Sequence, residues 1–331
     1  MEMSEMSEMS DLDETPGGTV LLGDLRVQRL GFGTLNLATA RNAEGTRDPE
    51  LAKQLVRHAV NRGINFIDTA NIYGLGRSEQ LIADALRPYP SEVVIATKAG
   101  YETRRLNPGE KRLPASAHPD ELRSECARSL TRLGVETIDV YQLHTPDPNV
   151  PFLDSVGALV DLRREGKIRH IGLSNVTAAQ LAEALTVTPV VSVQNRYNAG
   201  DRDNESVLRA CEERGIAFLP WHPILRDEAR IRIAAEIAAR HHVSVQQVSL
   251  AWLLRRSPVM LPIPGTTSLA HLDANIDAAW IELSDLDFAR LGSAVAPETD
   301  DYINFLEERE ESGCVPPTTR SRRCGQPPAA S

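Results

Sequence analysis

The chain of 331 residues predicts an α/β protein, a closed parallel (β/α)8 barrel with an N-terminal β-hairpin capping its floor. Three observations carry that expectation. Short apolar runs alternate with amphipathic stretches of helical length from Leu30 onward, eight such runs can be counted, and glycines close several of the helical stretches just before the next run begins. Parallel strands need a crossover between them, and a helix after each strand supplies it.

The segment from Thr19 to Gln28 holds two β-prone runs joined by Gly23-Asp24, which reads as the hairpin. Strands are expected at 30–33, 65–68, 93–98, 138–143, 170–173, 190–194, 217–220 and 259–262. Asp48-Pro49 opens a helix at 50–62, because an aspartate accepts from first-turn amides and a proline fits that turn. His118-Pro119-Asp120 opens another at 121–133, and a third is expected at 228–241. Gly63, Gly134, Gly166 and Gly215 each stand where a left-handed residue ends a helix. The competing architecture, a doubly wound open sheet, would favour a G-x-G-x-x-G turn after the first strand. Here that turn reads Gly31-Phe-Gly-Thr-Leu-Asn36, without the third glycine and with no helix directly behind it. The TIM barrel is the better fit and is assigned to residues 19–296.

Composition narrows the function classes. The chain has 36 basic and 46 acidic side chains and a formal charge of −10, which disfavours a nucleic-acid partner. No apolar run approaches the ~18 residues that cross a bilayer, so no membrane span is expected. Residues 1–18 begin with a repeated Met-Ser-Glu triplet and hold four of the five methionines. They lack the basic start and apolar centre of a signal peptide and are expected to be a disordered acidic leader. Residues 297–331 are expected to be a largely disordered extension, acidic to Glu311 and then rich in proline and arginine. A docking role or a Cys314–Cys324 disulfide is the alternative there. The four cysteines form no C-x-x-C pair and no histidine sits at metal-ligand spacing, so a reduced, metal-free, cytoplasmic protein is expected.

In such a barrel the reactive groups belong at the carboxyl ends of the strands. Four candidates fall there: Asp68 ends the second expected strand, Tyr73 follows it by five residues, Lys98 ends the third strand, and His144 directly follows the fourth. Each alone has an ordinary structural explanation, as an ion pair, a packed ring or a core histidine. Together they describe chemistry. A lysine ending an apolar strand needs its charge compensated, and Asp68 on the adjacent strand is the natural partner. A phenol beside an ammonium loses its proton more readily, which makes Tyr73 a usable general acid. His144 can then donate to a substrate oxygen.

At these residues the sequence resembles the aldo-keto reductase superfamily, with likeness to its pyridoxal-reducing members. Gly63-Ile-Asn-Phe-Ile-Asp-Thr-Ala-Asn-Ile-Tyr-Gly74 is similar to that family's Asp-to-Tyr motif, and Lys98 and His144 fill the remaining positions of its tetrad. The resemblance implies NADP(H)-dependent reduction of a small aldehyde or ketone, with NAD(H) not excluded. Tyr73 would be the proton donor, Lys98 its tuner, Asp68 the anchor and His144 the group that orients the carbonyl. It also implies cofactor contacts at Gly33 and Thr34, at Ser174 and Asn175, at Gln194, and at the Trp221-His222-Pro223 turn. Trp221 would stack on the nicotinamide. The segment carrying Gly265, Thr266, His271 and Asn275 would receive the adenosine phosphate at a helix start. Many members carry a lysine and an arginine where this chain has Gly265 and His271. Members with a longer stretch after Trp221 fold it over the dinucleotide, and the brief connection here is expected to lack that clasp.

Leu35 and Tyr101 are expected to line the substrate pocket, with the loop at 146–151 as a further wall. The long 99–119 connection, bearing Arg104, Arg105, Lys111 and Arg112, governs access. The same residues admit two other readings. The barrel could be a cofactor-binding regulatory or scaffold protein with little turnover, or a lyase using Lys98 as a Schiff-base amine. Substrate identity and oligomeric state are left open.

Overall fold

In this computed structural model the described residues are 17–107, 110 and 113–293. The expectations for residues 1–16 and 297–331, including the Cys314–Cys324 pairing, lie outside them, as do Lys111 and Arg112. The last two residues of the expected leader are placed: Arg29 donates to the Gly17 carbonyl at 3.0 Å, and its backbone amide donates to that of Gly18 at 3.0 Å.

The hairpin consists of β1 (Thr19–Leu22) and β2 (Leu25–Gln28), paired antiparallel around Gly23. Then follow β3 (Phe32–Gly33), α1 (Pro49–Asn61), β4 (Phe66–Asp68), α2 (Arg77–Leu86), β5 (Val94–Ala99), α3 (Pro119–Leu133) and β6 (Ile138–Leu143). The second half runs through α4 (Phe152–Arg164), β7 (Ile168–Ser174), α5 (Ala178–Leu185), β8 (Ser192–Arg196), α6 (Glu205–Glu212) and β9 (Ala217–Trp221). Last come α7 (Glu228–His241), α8 (Val245–Arg256), α9 (Leu269–Asp277) and α10 (Asp285–Gly292). Strands β3 to β9 pair in chain order, each parallel to the next. This is the α/β barrel expected, with the hairpin as a separate two-stranded sheet.

The eighth strand is the correction. Residues 259–262 form no regular strand but still close the barrel. Phe218 donates to the Val259 carbonyl at 2.8 Å and accepts from Leu261 at 2.9 Å, while Gly31 and Gly33 donate to the carbonyls of Pro262 and Pro264 at 2.9 and 3.2 Å. A proline has no N–H, so Pro262 and Pro264 can accept toward β3 but cannot donate, and the ladder is incomplete by covalent structure. The seam is tight: a β-carbon on Gly33 would lie 2.3 Å from the Ile263 carbonyl oxygen, and one on Gly265 would lie 2.7 Å from that of Gly33.

The expected helix signals operate as local chemistry predicts. Asp48 accepts from the Glu50 and Leu51 amides at 2.9 and 3.1 Å, and Gly134 closes α3 at φ +66°. Inside the barrel, Val20, Leu22 and Val27 of the hairpin pack against Phe66, Val94, Val140, Val191, Leu219 and Leu261. Asn65 holds the hairpin in place, accepting from the Gln28 amide at 2.8 Å and donating to the Arg26 carbonyl at 3.1 Å. The floor is therefore sealed by apolar side chains, and only the opposite mouth is left for polar chemistry. Leu22→Ala should cost about 2–4 kcal/mol of stability in urea denaturation; an unchanged midpoint would mean that the hairpin is not part of the cooperative core.

Candidate active site

The strand ends assemble one buried polar cluster. Asp68 is the last residue of β4 and Lys98 the penultimate residue of β5, and both are buried to 2% exposure or less. The Lys98 ammonium donates to both Asp68 carboxylate oxygens, at 2.7 and 2.8 Å, and to the Thr69 carbonyl at 2.8 Å. Three acceptors thus surround a group with three donors. Burial pushes the Lys98 pKa below the usual lysine value, opposed by the charge and hydrogen bonds of Asp68. Its Nζ lies 5.2 Å from the centroid of the buried Tyr73 ring.

Tyr73 sits in the turn between β4 and α2, followed by three residues in succession with positive φ: Gly74 (+57°), Leu75 (+55°) and Gly76 (+87°). Glycine suits such angles, and a β-carbon on Gly74 would meet that of Ala38 at 2.5 Å. His144, just past β6, is fully buried, with Tyr73 edge-on at 6.2 Å and Tyr101 edge-on at 4.8 Å between ring centroids. Burial, reinforced by the Lys98 charge, holds its pKa well below the ordinary histidine value of 6.5. The four expected residues therefore meet at one mouth.

Tyr73 also lines a cavity of about 330 Å³, which Lys98, His144 and Trp221 do not line. Leu35 lines it together with Ile72, Leu106 and Leu113. Tyr101 packs beside it in the same apolar group as Tyr73, Leu35 and Leu113. The loop at 146–151 does not line this cavity.

The residues expected to hold a cofactor fall into two groups. Ser174 and Asn175 at the end of β7, Gln194 in β8 and Trp221 at the end of β9 are linked to one another and to the tetrad. Ser174 donates to the Gln194 carbonyl at 2.8 Å, and the Asn175 amide donates to the His144 carbonyl at 2.9 Å. The Trp221 indole N–H donates to Asn175 Oδ1 at 3.0 Å. Gln194 donates to Asp68 at 2.9 Å, so it braces the ion pair. His222, at φ +59°, presents its carbonyl to Asn198 at 3.0 Å, and Pro223 follows it half-buried in a six-residue connection to α7.

The second group lies across the barrel seam. Thr34 bonds the Asp68 carbonyl through its hydroxyl and its amide, both at 2.9 Å, while Gly33 and Gly265 meet backbone to backbone. Thr266 accepts from Ser268, whose own hydroxyl caps α9 by accepting from His271. His271 is exposed on the first turn and Asn275 is buried further along the helix.

Sequence reasoning missed two participants. Gln142, fully buried in β6, donates to Asp68 at 3.3 Å, and Gly172 opposite makes room for it, since a β-carbon there would lie 2.8 Å from Gln142 Cγ. It lies two residues before His144, so strand alternation places both on one face. Asn71, in the Tyr73 turn, donates to Thr103 at 2.8 Å and to buried Glu125 of α3 at 3.0 Å. That bridge ties the turn to the access loop and could not be read from spacing.

The chain matches the Aldo/keto reductase family over residues 29–296, and it belongs to that family. It is 42% identical over 312 residues to an uncharacterised oxidoreductase of Schizosaccharomyces pombe, covering 94% of this chain and 100% of that one. It is 37% identical over 278 residues to pyridoxine 4-dehydrogenase of Escherichia coli, with 81% and 94% of the two chains covered. Among solved structures, the aldo-keto reductase from Klebsiella pneumoniae in complex with NADPH superposes with a TM-score of 0.69 at 26% identity, over 82% of this chain and 93% of that one.

The environment of His144 generates a prediction. With its folded pKa depressed, the unfolded chain binds more protons below 6.5, so the His144 contribution to stability is complete above that pH and is lost as pH falls below it. Its ring resonances should stay at neutral-imidazole positions from about pH 8 to about pH 6. A midpoint near the ordinary histidine value would show the ring to be hydrated.

Proposed function

We propose that the protein is an NADP(H)-dependent oxidoreductase that reduces an aldehyde or ketone to an alcohol. The observation that carries this reading is the convergence of a phenol, a buried ammonium paired with a carboxylate, and a neutral imidazole on one apolar-walled mouth. The donor set on the rim fits a nicotinamide dinucleotide. Ser174, Asn175 and Gln194 would hold its carboxamide, the half-buried Trp221 offers a flat face for the ring, and His222 and Pro223 would border it. At the start of α9 the amides of Leu269 and Ala270, which have no intrahelical acceptor, are suited to a phosphate beside Thr266.

When bound, the dinucleotide supplies a hydride for the carbonyl carbon. Tyr73 gives its phenolic proton to the carbonyl oxygen. The nearby Lys98 charge favours the phenolate that remains, and Asp68 keeps that charge in place. His144, held neutral, donates a hydrogen bond from one ring nitrogen to the same oxygen and fixes the approach of the carbonyl. Leu35, Tyr101 and Leu113 keep water from the reacting atoms. The buried, unpaired thiols of Cys126 and Cys211 suit a reducing cytoplasm.

Two measurements test this reading. Tyr73→Phe should lower carbonyl-dependent NADPH oxidation by a factor of about 10²–10⁴ while NADPH still quenches tryptophan fluorescence. Equal turnover in both proteins would remove the proposed acid, and tight NADPH binding without turnover of any carbonyl would favour a regulatory barrel instead. His271→Arg should tighten NADPH binding about tenfold by giving the 2′-phosphate a charge-assisted donor, and should leave NADH unaffected. An equal shift for both carriers would place the 2′-phosphate elsewhere.

A further inference from the structure

The cavity that Tyr73 lines has an uneven charge lining. Arg47 precedes α1, Arg77 is the first residue of α2, and Arg105 belongs to the access loop, yet all three line this one cavity. A fourth, Arg104, is engaged by the carboxylates of Glu102 and Glu110, at 2.6 and 2.7 Å. Asp48, the single carboxylate among the lining residues, is turned onto the first amides of α1. Arg47, Arg77 and Arg105 have no carboxylate partner among the described residues; Arg77 reaches only the Gln80 amide oxygen, at 3.3 Å. In a chain of net charge −10, three guanidinium groups gathered at one opening without a counter-charge among the described residues run against the background.

We propose that the carbonyl substrate bears an anionic group, a carboxylate or a phosphate, at the end remote from the carbonyl, and that Arg47, Arg77 and Arg105 receive it. A guanidinium fork matches either anion, and the apolar stretch formed by Leu35, Leu106 and Leu113 suits the part of the substrate between the two ends. The inference rests on the reading of Tyr73 as the reacting end of the pocket. It makes the arginines determinants of specificity, acting on binding rather than on proton transfer.

The test uses two matched pairs with the full chain and NADPH: 4-carboxybenzaldehyde against its methyl ester, and glyceraldehyde 3-phosphate against glyceraldehyde. The charged member should have at least about a tenfold higher kcat/KM in one or both pairs. The pair that responds identifies the anion. The preference should shrink with added salt. Replacing the three arginines together by glutamine should raise KM for the charged members toward that of the neutral ones, with kcat much less affected. Equal kcat/KM within both pairs would overturn the proposal, as would a triple variant that weakens charged and neutral members by the same factor. A calorimetric titration with 4-(hydroxymethyl)benzoate and its methyl ester separates this from the catalytic reading. Tighter binding of the anion, lost in the triple variant, supports the anion site even where turnover is absent, and equal binding of the two sinks it.

Discussion

The salt bridge between Asp68 and Lys98 is the constraint on which the barrel mouth depends. Two charges withdrawn from water gain little unless every donor and acceptor is matched. Here they are matched by neighbours from the whole rim: Asp68 accepts from Lys98 of β5, Gln142 of β6 and Gln194 of β8, while Lys98 also reaches the Thr69 carbonyl. The pair is therefore a cross-link among four strands. Removing either partner would strand a charge where almost no water reaches, a loss of about 3–5 kcal/mol.

From that cross-link, order spreads outward in both directions. On one side, Asn71 fastens the Tyr73 turn to Thr103 of the access loop and to Glu125 of α3. On the other, Trp221, Asn175 and the His144 carbonyl form a chain of hydrogen bonds from β9 back to β6. The apolar floor is filled by Leu22 and Val27, with Asn65 pinning the hairpin at its edge. A packed floor below and matched polar groups above are what the proposed proton transfer would require.

Much of this was legible in the chain. Apolar runs ending in Asp68 and Lys98, with His144 just after another, announce the mouth because polar residues recur together at the carboxyl ends of successive strands. The glycine at 134 and the Asp48-Pro49 pair mark helix ends through local geometry alone. What could not be read was spatial. Whether Gln194 meets a carboxylate four strands away depends on how the sheet curls, and the gathering of Arg47, Arg77 and Arg105 depends on three loops folding toward one another. The eighth run departs from its strand-like pattern for a different reason: Pro262 and Pro264 withhold the donors that a ladder needs.

The contact between Gly33 and Gly265 bears on how this protein can change over evolutionary time. At Gly265 the backbone lies so close to the first strand that any larger residue would force the barrel joint apart. Gain of a positive charge at that spot is closed to this lineage unless the joint itself shifts. Side-chain change beside this joint is therefore left to the exposed turn of α9 that follows, where His271 faces solvent.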